Sequence, residues 1–186
     1  QAILQSGKAD NELLVYWPVY DVWAEPKGKM EMITVHAVDE WLHPTEFYKQ
    51  SKQLMESGYS LDFISDDMIS KSQVNKGLIQ TSAQNSAMVL IIPETEFMPI
   101  ETLQNILKLA ENGANVIFQS KPKSIPGYHA DQESKESAFN QLWGSIAFER
   151  GKSNVGKGEI YLSSDLSKTL GELEIYREKL VDSGLG

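Results

Sequence analysis

Short apolar runs closed by proline or glycine punctuate the chain, and stretches with helical spacing lie between them. Leu13-Leu14-Val15-Tyr16-Trp17 is continuously apolar and stops at Pro18, the pattern of a strand buried on both faces. Met88-Val89-Leu90-Ile91-Ile92 repeats that pattern and stops at Pro93, and Val116-Ile117-Phe118 is a third such run. Leu61-Asp62-Phe63-Ile64 and the segment from Glu159 to Leu162 read as two further strands. Lys76 to Thr81 reads as a minor hairpin or edge element.

Four stretches carry a helical period. Pro44 to Ser57 places Phe47, Ser51, Leu54 and Met55 on one face, with Pro44 at the first helical position and Gly58 as the stop. The same grammar recurs from Pro99 to Gly113, where Leu103, Ile106, Leu107 and Ala110 form the inner face. Asp131 to Phe148 carries Phe139, Leu142, Trp143 and Ile146, and a last helix is predicted near Leu166 to Leu180. Strands that alternate with helices predict a doubly wound α/β fold around a mainly parallel sheet, with residues 88–118 as one β-α-β unit. The 186 residues suit one α/β domain, 1–186, without internal repeats. Residues 1–8 read as a polar lead-in. Residues 18–43 read as a long loop inserted after the first strand, with no clear helix, a turn at Glu25-Pro26-Lys27-Gly28 and a short extended stretch from Met30 to Val38.

Composition narrows the function classes. A formal charge of −9 argues against a nucleic-acid phosphate surface. No apolar run approaches the roughly 20 residues of a membrane span. The absence of cysteine removes disulfides, thiolate metal sites and a cysteine nucleophile, and leaves the compartment open. The chain opens on Gln1 and shows no signal peptide, a start that tag removal, signal cleavage or excision of a domain from a longer polypeptide would each produce.

Two near-motifs resolve into turns. Gly151-Lys-Ser-Asn-Val-Gly-Lys-Gly158 nearly spells a phosphate-binding loop, but glycine replaces the magnesium-binding hydroxyl residue and a strand follows instead of a helix. Ser120 follows a strand, as a nucleophile elbow would, yet Lys121-Pro122 blocks the helix that such an elbow needs. The chemically dense segment is the long loop. Together with Trp17 at its mouth, it holds three of the four tryptophans and two of the three histidines. Asp21, Trp23, His36, Asp39, Glu40, Trp41 and His43 are the candidate sugar-site residues, because aromatic faces stack on sugar C–H groups while carboxylates bind hydroxyls. The plainer reading is that these residues cap the sheet and the start of the next helix. His36, Glu40 and His43 fit no standard metal spacing, so no metal site is assigned.

The stretches Asn11-Glu-Leu-Leu-Val-Tyr-Trp-Pro-Val-Tyr-Asp-Val-Trp23 and Val35-His-Ala-Val-Asp-Glu-Trp-Leu-His-Pro-Thr-Glu-Phe-Tyr-Lys49 are distinctive. With the run from Ser51 to Asp66, Ile91-Ile-Pro-Glu94 and Pro99-Ile-Glu-Thr-Leu103, they resemble the large bacterial α-L-rhamnosidases of glycoside hydrolase family 106. The match falls downstream of the catalytic barrel, is clearest from 11 to 120 and fades after about 125. The resemblance implies a three-layer, flavodoxin-like domain of the class I glutamine-amidotransferase-like type, as in the trimerisation domain of some β-galactosidases. It implies inverting hydrolysis of terminal α-L-rhamnose by the parent enzyme, calcium in that parent, no cofactor in this fragment, and a periplasmic or extracellular setting. The implied partners are the catalytic barrel of the same polypeptide and, through it, a carbohydrate substrate, with neither nucleic acid nor membrane. No catalytic residue is assigned within the fragment. The resulting expectation is an accessory domain, a scaffold by itself that lends a wall to the parent active site. A freestanding carbohydrate-binding module and a small stand-alone hydrolase are the alternatives.

Overall fold

A computed structural model describes residues 11–24, 34–83, 85–127 and 131–179. Nine strands lie among the described residues: β1 (Leu13–Tyr16), β2 (Leu61–Ile64), β3 (Gln73–Asn75), β4 (Leu78–Gln80), β5 (Ser86–Ala87), β6 (Val89–Ile92), β7 (Asn115–Phe118), β8 (Lys152–Val155) and β9 (Gly158–Leu162). The α-helices are α1 (Val19–Ala24), α2 (Val38–Trp41), α3 (Glu46–Glu56), α4 (Asp66–Lys71), α5 (Ile100–Glu111), α6 (Gln132–Gly144) and α7 (Leu166–Glu172). A 3-10 turn at Val35–Ala37 leads into α2.

Six strands form the central sheet in the order β2-β1-β6-β7-β9-β8. All pairings are parallel except the β8–β9 hairpin at one edge. Taken alone, the five parallel strands run 2-1-3-4-5, the flavodoxin-like order. Helices cover both faces. One layer packs Leu14, Tyr16, Leu90, Ile92, Val116 and Phe118 against α5 and α6. The other packs Leu13, Val15, Val89, Ile91 and Ile117 against Phe47 and Leu54 of α3 and Leu166 and Leu170 of α7. Every residue of β1 and β6 is buried. This is why those strands read as unbroken apolar runs: alternation vanishes when both faces of a strand meet helices. Each large aliphatic side chain withdrawn from water here contributes about 1.5–3 kcal/mol. The three-layer α/β class and mainly parallel sheet expected from the sequence are therefore present.

Several local expectations change. Residues 18–43 are not without helix: α1, the 3-10 turn and α2 all lie there, so the extended stretch read from Met30 to Val38 is helical from Val35 onward. The helices are short, with too few turns to display a period in sequence. The lead-in, the turn at Glu25–Gly28 and residues 30–33 lie outside the described residues. Helix α3 starts two residues later than read, because Thr45 takes the N-cap and its hydroxyl accepts the Tyr48 amide at 3.2 Å. Pro99 likewise occupies the N-cap of α5. Met55 falls outside the buried stripe of α3 and is half exposed. Helix α6 ends at Gly144, so Ile146 is buried beyond it. The final helix stops at Glu172, where Glu174 adopts a left-handed φ of 55°. The hairpin read at 76–81 belongs to a separate antiparallel sheet, β3-β4-β5, which adds Ile79 and Ala87 to the core.

The glycine-rich basic turn is the β8–β9 hairpin, and packing dictates its glycines. The hairpin is laced to the end of α5 by Lys157 N–H on the Glu111 carbonyl (3.0 Å) and Glu159 N–H on the Ala114 carbonyl (3.2 Å). A Cβ on Gly158 would sit 2.2 Å from the Ala114 oxygen and 2.5 Å from the Ala110 oxygen, both backbone atoms that cannot swing aside. Gly158→Ala is expected to destabilise the chain by about 1–3 kcal/mol or more. Gly171→Ala, a helical site with nothing near its Cβ, is expected to be neutral or stabilising by up to ~1 kcal/mol. Urea-unfolding midpoints of the two variants check both.

Candidate functional site

In open α/β sheets, ligands bind beyond the carboxyl ends of the strands where strand order reverses, here between β1 and β6. The segments that emerge there are Trp17-Pro18 into α1, Ser65 into α4, and Pro93 to Met98 before α5. Asp21 of α1 reaches across to the last of these. Its carboxylate accepts the Phe97 amide at 2.8 Å and the Glu96 amide at 3.0 and 3.1 Å. The chain after Pro93 makes a tight loop whose amides point at Asp21, so the acid clips α1 onto that loop. Burial raises the Asp21 pKa, and the hydrogen bonds from Phe97, Thr95 and Glu96 oppose that rise without cancelling it.

The second polar group at this end is one that sequence reasoning missed. Tyr16, the fully buried last residue of β1, donates to the Asp66 carboxylate at 2.8 Å. Thr102 on α5 donates to the same oxygen at 2.5 Å. Asp66 opens α4, where a carboxylate is favoured by the helix N-terminus. One acid thus ties β1, α4 and α5 together. Burial first, and then the Asp66 charge, pushes the Tyr16 hydroxyl far up, so it stays a donor throughout the ordinary pH range. Tyr20, the second residue of α1, is also raised, by burial and then by Asp66 and Glu101. The Ser65-Asp66-Asp67 run directly after a strand was the available signal, since Ser65 is the N-cap of α4.

The loop residues singled out from sequence do not converge on one centre. Trp41 donates its indole N–H to the Thr34 carbonyl at 2.9 Å and packs edge-on against Trp17, which packs against Phe47 of α3. This group belongs to the α3 side of the sheet, with Trp17 packed on that layer. His43 Nδ1 lies 2.6 Å from Asp39, and its ring stacks on Tyr48 at 4.1 Å. His36 and Glu40 are exposed. Trp23 is 61% exposed and meets the edge of Tyr20. Asp21 therefore joins the 94–97 loop, whereas Trp41, Asp39 and His43 join the start of α3. No group of three or more metal-ligating side chains is found among the described residues. A shallow polar cavity of about 220 Å³ lies elsewhere, between α3 and α7, lined by Gln50, Gln53, Ser57, Ser164 and Asp165.

The family model for alpha-L-rhamnosidase, glycoside hydrolase family 106, matches residues 27–184. This chain belongs to glycoside hydrolase family 106. A rhamnosidase from Novosphingobium sp. PP1Y has a superposable region, with a TM-score of 0.67 and 16% identity over 95% of this chain. At that identity the likeness speaks for the fold. A protein from Formosa agariphila, provisionally named beta-glucuronidase, is 34% identical over 96 residues, 50% of this chain. The chain spans 15% of the solved rhamnosidase and 8% of the Formosa protein. It is thus a glycoside-hydrolase-related α/β unit that corresponds to a small part of each relative.

The raised pKa of Asp21 has a definite sign in stability. The fold favours its protonated form, so that contribution is complete below the ordinary value of 3.8 and is lost as pH rises through the higher native value. Urea unfolding of the wild type and of Asp21→Asn across mildly acidic pH is expected to show the wild type losing stability relative to the variant as pH climbs above 3.8. A constant difference would place Asp21 in a solvated setting instead.

Proposed function

We propose that this chain is an accessory domain of an α-L-rhamnosidase-type glycoside hydrolase, a scaffold whose reaction centre lies in the remainder of a longer polypeptide. The observation that carries this reading is the engagement of the loop acids. Inverting hydrolysis takes two free carboxyl groups, roughly 6.5–9.5 Å apart, on opposite sides of the glycosidic bond. Asp21 is bound to two backbone amides, Asp39 to His43, and Asp66 to Tyr16 and Thr102. Glu40 stands exposed on the four-residue α2. The small share of each relative that the chain spans supports the same reading.

In this account the amidotransferase-like layered domain gives mechanical support to a catalytic barrel elsewhere in the polypeptide. Rhamnose specificity, calcium and export to the periplasm or beyond are properties of the intact protein. Of the seven loop residues, those with side chains turned to solvent, and so able to form a wall to the active site, are Trp23, His36, Asp39 and Glu40. A second reading, a carbohydrate-binding module, rests on the exposed Trp23 ring beside Tyr20.

Calorimetric titration of the chain with rhamnose and rhamnose-containing oligosaccharides separates the two. The scaffold reading expects no measurable heat of binding. Saturable binding that Trp23→Ala abolishes would establish the module instead. In the intact polypeptide, Glu40→Ala is expected to leave kcat unchanged, and a loss of 100-fold or more, on the order of removing an acid–base group, would make Glu40 part of the reaction centre.

A further inference from the structure

We propose that the aromatic ridge running from Trp41 to Phe63, with Val35 at its end, is the face by which this domain docks against a neighbouring domain of the same longer polypeptide. The inference rests on the accessory-domain reading and adds the surface and the partner to it. The ridge is a chain of ring contacts. Trp41 meets Trp17 at 6.2 Å, Trp17 meets Phe47 at 4.6 Å, and Phe47 meets Phe63 at 4.9 Å. Trp41 is bonded to Thr34, and Val35 follows directly. At its two ends the ridge opens to solvent, with Phe63 49% and Val35 85% exposed. Between those ends Trp41 and Trp17 are half-buried and Phe47 is buried, so the rings form one packed row that reaches solvent at its ends.

The sheet edge beside the ridge points the same way. β2 is the outer strand on this side. Ser60 and Ile64 turn their carbonyls to β1, accepting the amides of Leu13 and Trp17. By the two-residue period of a strand, Leu61 and Phe63 aim their backbone groups away from β1. Exposed edges are normally guarded by lysine, proline or a bulge. The opposite edge follows that rule, with Lys152 exposed on β8. β2 carries no such guard: its one charge, Asp62, accepts from Asn85 at 2.9 Å, and the neighbouring Phe63 side chain is left in water. An edge of this kind is built to be covered.

The occupant follows from chain length and charge. This chain is 15% of the solved rhamnosidase to which its fold is similar, so in a protein of that size most of the polypeptide is available at unit stoichiometry. Asp39 and Glu40 stand exposed beside Trp41, Asp39 next to His43, while Glu46 beside Phe47 is already paired with Lys49 at 2.6 Å. The matching surface is therefore an apolar centre with a basic group opposite Asp39 and Glu40, supplied by a covalently linked neighbour.

Hydroxyl-radical footprinting read by peptide mass spectrometry, on the 186-residue chain and on the intact polypeptide, tests this. Oxidation of Phe63 and Trp41 is expected to fall about fivefold or more in the intact polypeptide, as these rings leave the solvent. Tyr176 and Met88, exposed and outside the row of ring contacts, serve as the reference. Phe63→Lys in the intact polypeptide is expected to return Trp41 oxidation toward its level in the free chain. Equal oxidation of the ridge in both proteins would overturn the proposal. So would protection of the free chain that grows with its own concentration, which would make the partner a second copy, or protection by added rhamnose, which would make it a sugar. Equal oxidation leaves the accessory reading standing, whereas rhamnose protection of the free chain removes that reading as well.

Discussion

The structure depends on burying β1 and β6 side by side between two helical layers. Both strands are fully buried, and their backbone groups are satisfied by parallel pairing with each other and with β2 and β7 on either side. Parallel pairing forces each connection to cross over a face of the sheet, which is what places α3 and α7 on one side and α4, α5 and α6 on the other. The same geometry gathers the strand ends, so the segments after β1, β2 and β6 meet at one edge. Asp21 and Asp66 are fastenings at that edge. Asp66 gathers donors from β1 and α5, and Asp21 clips α1 to the 94–97 loop, so the two acids fix how the helices leave the sheet.

That use of carboxylates bears directly on function. In this α/β order the carboxyl edge is where a ligand would be expected, and a family 106 domain brings sugar chemistry to mind at that place. Here the acids nearest the strand ends are tied to amides and hydroxyls, and burial acts on Asp21 toward neutrality rather than toward a free anion. Trp17 and Trp41 of the same region have packed into a row with Phe47 and Phe63 on the α3 side of the sheet. These arrangements suit a part that holds position within a larger machine.

The sheet was legible in the sequence because its physics is local. Unbroken apolar runs such as Leu13–Tyr16 and Val89–Ile92 announce two-sided burial, and the stripe Leu103, Ile106, Leu107, Ala110 announces α5. Helices α1 and α2 escaped notice because six and four residues cannot carry a period. The near-phosphate-loop glycines were recognised as a turn, but the reason for Gly158, the approach of the Ala110 and Ala114 carbonyls, is a tertiary contact that no local window contains. Clustering in sequence also misled: Asp21 and Trp41 share one connection yet pack against different neighbours. The partnership of Tyr16, Asp66 and Thr102, residues separated by dozens of positions, is a property of the crossovers and could be seen only once the chain had folded.

The central question is where the chemistry resides. Hydrolysis of an aryl α-L-rhamnoside, followed with the purified 186-residue chain and with the intact polypeptide under identical conditions, tests it most directly. Release of the aryl alcohol by the intact polypeptide alone, with the chain indistinguishable from buffer, is the predicted result. Turnover by the chain unaided would contradict it.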